Sequence, residues 1–143
     1  MTTSPIALII GASRGLGLAL AREWLSRGWT VLATVRAAGH TALHETAETS
    51  GGRLRIEQLE MTDLAAVKAL RERLSGLEPD LLFVNAGVAN GAEDRVDQVS
   101  TEEFTRVMVT NALSPMRIVE SLGDLVRQEG TIAVCPQASA ASA

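Results

Sequence analysis

Short apolar runs alternate with amphipathic stretches along this chain, and the alternation sets out its elements. Ile6-Ala7-Leu8-Ile9-Ile10 is uninterrupted apolar sequence between Pro5 and Gly11, the pattern of a strand buried on both faces. A helix follows from Gly15, with Leu16, Leu18, Leu20, Trp24 and Leu25 at roughly helical spacing and Arg27-Gly28 as a basic last turn and stop. Thr30 to Val35 reads as a second strand, Thr41 to Thr49 as a short helix, Leu54 to Leu59 as a third strand and Asp63 to Leu74 as an amphipathic helix. Asp80 to Val84, after Glu78-Pro79, gives a fourth strand. A long helix is expected from about Thr101 to Gln128, opened by the capping box Ser100-Thr101-Glu102-Glu103, and Thr131 to Val134 supplies a fifth strand. Strands alternating with helices imply right-handed crossovers and an α/β fold whose parallel sheet is covered on both faces. The pattern carries no internal repeat and no linker. Residues 1–134 read as one domain, and residues 135–143, ending Ala138-Ser139-Ala140-Ala141-Ser142-Ala143, as a disordered tail without the means to bury anything.

Between the first strand and its helix, Gly11, Gly15 and Gly17 form a loop suited to phosphate. The first N–H groups of a helix have no internal partner and its dipole is positive at that end, so a pyrophosphate placed there is stabilised by both. A glycine-rich turn that merely caps a helix would use the same residues. Composition narrows the classes. With 143 residues, 46% hydrophobic, the chain can bury about two-thirds of its unfolded surface. A net charge of −4 and the absence of any basic run argue against nucleic acid or an anionic membrane as partner. The single cysteine, Cys135, points to a reducing compartment, with cytoplasm the default. No stretch approaches the ~20 apolar residues of a membrane helix.

The end of the second strand bears on which dinucleotide fits. A carboxylate there accepts from the ribose 2′-hydroxyl of NAD, whereas arginine pairs with the 2′-phosphate of NADP. This strand ends in Arg36, and Arg14 inside the loop adds a second guanidinium, which favours NADP over NAD. Two solvated surface arginines are the alternative.

The loop, with Gly11, Ser13, Arg14, Gly15, Leu16 and Gly17, resembles the T-G-x-x-x-G-x-G segment of the short-chain dehydrogenase/reductase family, Ile10 standing where the pattern has threonine. Leu59-Glu60-Met61-Thr62-Asp63 resembles that family's D-V-T-D segment. The resemblance implies that Glu60, in place of aspartate, accepts from the adenine amino group while the Met61 N–H meets the ring. Thr62 or Asp63 also reads as an ordinary helix N-cap. Asn85-Ala86-Gly87 matches the family's N-A-G. The implied fold is a Rossmann-like, doubly wound parallel sheet of about five strands in the order 3-2-1-4-5, in which the first and fourth strands are neighbours and their carboxyl ends form the ligand crevice.

In the long helix, Asn111 falls on the apolar stripe traced by Phe104, Val107, Met108, Pro115, Ile118, Val119, Leu122, Leu125 and Val126. Pro115 has no N–H to give the Asn111 carbonyl, so the helix should bend there. The resemblance gives that carbonyl a catalytic role, holding a water of the proton relay; a proline-kinked helix with a satisfied core asparagine is the other reading.

The resemblance covers the chain up to Val134 and then fails. The family's chemistry uses a serine after the fifth strand and a tyrosine followed four residues later by lysine. The sequence contains no tyrosine, its last lysine is Lys68, and Cys135-Pro136-Gln137 stands where serines are expected. A change of reading frame after Val134 would produce such a tail. The function implied is NADP-dependent carbonyl reduction or alcohol oxidation on a small molecule, by a chain truncated relative to the family and catalytically incomplete; a non-catalytic dinucleotide-binding domain is the alternative. An uncovered fifth strand predicts self-association. His40, His44 and Glu45 do not form His-Glu-x-x-His, and no metal site is expected.

Overall fold

The computed structural model describes residues 3–88, 95 and 97–136. Five parallel strands form one sheet: β1 (Ile6–Ile10), β2 (Thr30–Val35), β3 (Leu54–Gln58), β4 (Leu81–Ala86) and β5 (Thr131–Pro136), in the spatial order β3-β2-β1-β4-β5. The helices are α1 (Gly15–Ser26), α2 (Ala42–Glu48), α3 (Leu64–Arg73), α4 (Thr101–Met108) and α5 (Ser114–Leu122). This is the doubly wound order expected of the sequence, with the winding reversed between β1 and β4.

Alternation along the strands builds two cores. Leu8 and Ile10 of β1, with Leu32, Leu82 and Val84, pack under Val67 and Leu70 of α3 and Ile118 and Leu122 of α5. Ala7 and Ile9, with Val31, Ala33 and Val35, pack under Ala21 and Leu25 of α1 and Leu43 of α2. β1 therefore has both faces covered, which is why its five residues are all apolar.

Local chemistry places the ends. The Asp63 carboxylate caps α3, accepting from the N–H groups of Ala65 at 2.9 Å and Ala66 at 3.2 Å, and Ser100 caps α4 through the Glu103 N–H at 3.1 Å. At the start of α2, His44 Nδ1 accepts from the Thr41 N–H at 3.1 Å. That contact gives His44 a capping duty, and among the described residues no three potential metal ligands cluster.

Four elements differ from expectation. Of the expected α1 series, Leu25 is buried and Leu18, Leu20 and Trp24 pack partly buried against the core, Gly17 and Ala21 complete the buried line, and Leu16 is exposed. The long helix is broken into α4, a π turn (Val109–Leu113), α5 and a 3₁₀ turn ending at Leu125. The front of its apolar stripe is uncovered: Phe104 is 60% exposed and α4 buries no residue. Finally, β4 runs on through Asn85 and Ala86, and β5 through Cys135 and Pro136, with Asn85 opposite Cys135. Cys135 and Pro136 thus belong to the sheet rather than to the tail, whose remaining residues, Ser139 and Ser142 included, lie outside the described ones.

Candidate dinucleotide site

The carboxyl ends of β1, β2 and β4 converge on the glycine loop, and each strand holds it. Gly11 leaves β1 at φ +86°, a backbone conformation that favours glycine. Its N–H donates to the Thr34 hydroxyl of β2 at 2.9 Å, and its carbonyl accepts from Asn85 Nδ2 of β4 at 3.0 Å. The next amide, of Ala12, donates to the Thr34 carbonyl at 2.8 Å. Thr34 and Asn85 reach Gly11 from opposite faces of the sheet, since Thr34 shares the parity of Leu32 and Asn85 that of Phe83.

From this anchored turn the chain enters α1 with Arg14 extended at φ −158° as the N-cap residue and no side chain capping the helix. Leu18 is the first to bond back, to the Arg14 carbonyl at 3.4 Å. The N–H groups of Gly15, Leu16 and Gly17 are accordingly directed out of the helix end, at the positive pole of its dipole. Gly17 itself is fixed by packing. A Cβ there would overlap the Gly11 carbonyl oxygen and come within 2.8 Å of Asn85 Nδ2 and 3.0 Å of Ala12 Cα. Backbone cannot yield as a flexible side chain can, so this position admits only hydrogen.

Around the loop, Arg14 and Arg36 are exposed, and neither makes an ion pair with a described carboxylate. The glutamate expected at the adenine, Glu60, accepts through one carboxylate oxygen from the Thr62 N–H at 3.2 Å and the Thr62 hydroxyl at 3.0 Å. Its second oxygen has no described partner. Met61 puts its side chain into the core, 7% exposed, which leaves only its main chain for a ligand. On the other side, Asn85 is buried and its Oδ1 has no hydrogen-bond partner among the described residues. Ala86 closes β4, and Gly87, half-buried, follows it at the mouth of the crevice.

Asn111 sits in the π turn, with Pro115 immediately beyond it in α5. Both ends of its carboxamide are engaged: Oδ1 accepts from the Val88 N–H and Nδ2 donates to the Val88 carbonyl, both at 2.7 Å. The side chain therefore fastens the segment after β4, and Pro115 has no N–H to give the Asn111 main-chain carbonyl. An apolar groove of about 470 Å³ opens beside Asn111, between Pro115, Met116 and Val119 of α5 and Val134 of β5.

Of the residues read from the sequence, the loop glycines, Asn85 and the ends of β1, β2 and β4 are thus brought together. Thr34 was missed. The signal was available: a polar residue inside an otherwise apolar, doubly covered strand must have a partner, because an unpaired buried hydroxyl is costly.

Comparison with known proteins agrees with this geometry. The family model described as short chain dehydrogenase matches residues 5–140. Human carbonyl reductase [NADPH] 3 is 33% identical over 137 residues, covering 90% of this chain and 47% of that protein. The 3-oxoacyl-[acyl-carrier-protein] reductase FabG of Escherichia coli K12 is 30% identical over 120 residues, covering 82% and 47%. Among solved structures, a short-chain dehydrogenase/reductase from Burkholderia multivorans with bound NADP is 51% identical with a TM-score of 0.88, covering 92% of this chain and 58% of that one. A carbonyl reductase from Pseudomonas aeruginosa PAO1 in complex with NADP is 32% identical with a TM-score of 0.87, with the same coverage. The chain spans about half the length of the curated relatives it matches.

Proposed function

This chain belongs to the short-chain dehydrogenase family, and from that footing we propose that it binds NADP as the cofactor-holding part of an oxidoreductase acting on a small carbonyl compound or alcohol. The observation that carries the reading is the N-terminus of α1: three outward-facing N–H groups, an anchored turn before them, and at Gly17 a position where a side chain would close the cradle. Those groups suit the pyrophosphate. Arg14 and Arg36, without an ion-pair partner among the described residues, suit a ribose 2′-phosphate better than a bare 2′-hydroxyl. The free oxygen of Glu60 and the Met61 N–H suit the adenine edge, while Ala86 and Gly87 let the cofactor lie close to the backbone. The NADP named with the B. multivorans and P. aeruginosa structures supports this choice over NAD.

The cofactor supplies hydride chemistry when bound. Of the residues present, Asn111 contributes a positioned carbonyl able to hold a water, and its carboxamide keeps the β4 segment in place. The family's proton-transferring tyrosine has no counterpart in these 143 residues, which contain none. That absence favours a second reading for the chain on its own, namely binding without turnover.

Titration of the 143-residue chain with NADPH, followed by nicotinamide fluorescence, tests both. Saturable binding with no oxidation across a panel of simple ketones and aldehydes is expected; rapid NADPH oxidation would overturn the binding-only reading, and no binding at all would overturn the cofactor assignment. We place the protein in the cytoplasm from its single cysteine; among the described residues no helix is long and apolar enough to cross a membrane. The edge position of β5 and the exposed Phe104, Met108, Met116, Ile132 and Val134 support self-association.

A further inference from the structure

Gly11 is the pivot of the phosphate loop, and glycine is the residue least able to hold a conformation by itself. What fixes its amide is Thr34. The Thr34 hydroxyl accepts from the Gly11 N–H and the Thr34 carbonyl accepts from the Ala12 N–H, so one residue of β2 turns two successive amides toward the sheet. The next donors along the chain, at the start of α1, are then left facing the crevice. The carbonyl contact is available to any residue at this position, but the hydroxyl contact is not. Thr34 is only 2% exposed, so water cannot take the place of its lost hydroxyl, and the partly buried Gly11 N–H would lose this partner. Valine would fill the same space, keep the Ala12 bond and remove only this acceptor.

We propose that Thr34 is a positioning residue for the phosphate loop, setting through its hydroxyl the affinity for the pyrophosphate of a dinucleotide and not that for the adenosine 2′-phosphate end. This rests on the NADP reading. It adds a residue outside the loop, two positions before Arg36, which directly follows the strand, and its effect on binding is separable from that of the arginines by ligand.

The test compares the parent chain with Thr34→Val and Thr34→Ser, using NADPH and adenosine 2′-monophosphate as probes in calorimetric titration. Thr34→Val is expected to weaken NADPH by about tenfold or more while adenosine 2′-monophosphate binds as to the parent, and Thr34→Ser, which keeps the hydroxyl, to restore NADPH binding. Equal NADPH affinity in Thr34→Val and parent overturns the proposal, as does a parallel loss of both ligands, which would mark general loosening. Hydrogen exchange at the Gly11 amide of the parent chain decides the contact without any substitution, whether or not Thr34→Val folds. Protection comparable to that of the sheet amides supports it, and exchange at the rate of a free loop amide overturns it. A parent chain that fails to bind NADPH would refute the NADP reading itself, leaving the exchange measurement to judge the Thr34 contact.

Discussion

In the proposed NADP site, Arg36 and Gly17 would act in two different ways. Arg36 acts by charge: exposed, unpaired among the described residues and placed directly after β2, it is available to a doubly charged phosphate. Replacing it by aspartate should weaken NADPH binding by about tenfold or more and shift the preference toward NADH, as read by parallel fluorescence titrations with the two cofactors. Gly17 acts by absence. Since an added Cβ would strike the Gly11 carbonyl and Ala12, both backbone, Gly17→Ala must displace α1 or the loop. We expect a loss of about 1–3 kcal/mol of stability, seen as a lower melting temperature, together with loss of NADPH binding. Both residues were legible in the sequence, one by charge at a strand end and the other by spacing. Thr34 was not read from it, because hydroxyl-bearing residues are common in strands and only the fold reveals that this one faces the Gly11 amide.

At the scale of elements, β3 and α3 are joined by a charged node. Glu57 of β3 is bonded by Arg55 at 2.5 Å and by Arg73 of α3 at 2.8 Å. Partial burial pushes the Glu57 carboxyl upward, but the hydrogen bonds and charges of Arg55 and Arg73 outweigh it and hold the group below its ordinary value of 4.5. A carboxyl lowered in the folded state contributes stability that is complete above the unfolded value and disappears as pH falls through the folded one. The chain should therefore lose stability below about pH 4.5, and Glu57→Gln should flatten that limb in melting temperatures recorded from pH 3 to pH 7. The broken helix is the other lesson at this scale. Pro115 announced a break, and it takes the form of a π turn carrying Asn111, whose carboxamide meets the Val88 backbone. No periodicity in the sequence encodes a partner 23 residues away.

For the molecule as a whole, what is uncovered matters as much as what is packed. Among the described residues β5 pairs only with β4, Ile132 and Val134 on it are exposed at 43% and 47%, and Met116 at 68% and Phe104 at 60% extend the apolar surface across the helices. Surfaces of this kind drive association. Light scattering on the dilute chain should show species larger than a monomer, whereas a stable, monodisperse monomer would refute this. The stripe through Phe104 and Met108 was read from the sequence as an interior face, and periodicity alone cannot distinguish the inside of a domain from a face without a neighbour.

The sequence by itself determined the strand and helix succession, the strand order that such a succession favours, the glycine loop between β1 and α1 and the place of the arginine that follows β2. These follow from local rules: apolar period, glycine spacing and helix-end chemistry act over a few residues and need no partner. Only the tertiary structure decided that Gly17 and Ala21 join Leu25 on the buried line of α1, that Asn111 holds Val88 and that Gly11 is gripped from both sides by Thr34 and Asn85. Each of these depends on atoms far apart in the chain meeting within hydrogen-bond or van der Waals distance, and no local pattern in the sequence fixes which atoms those will be.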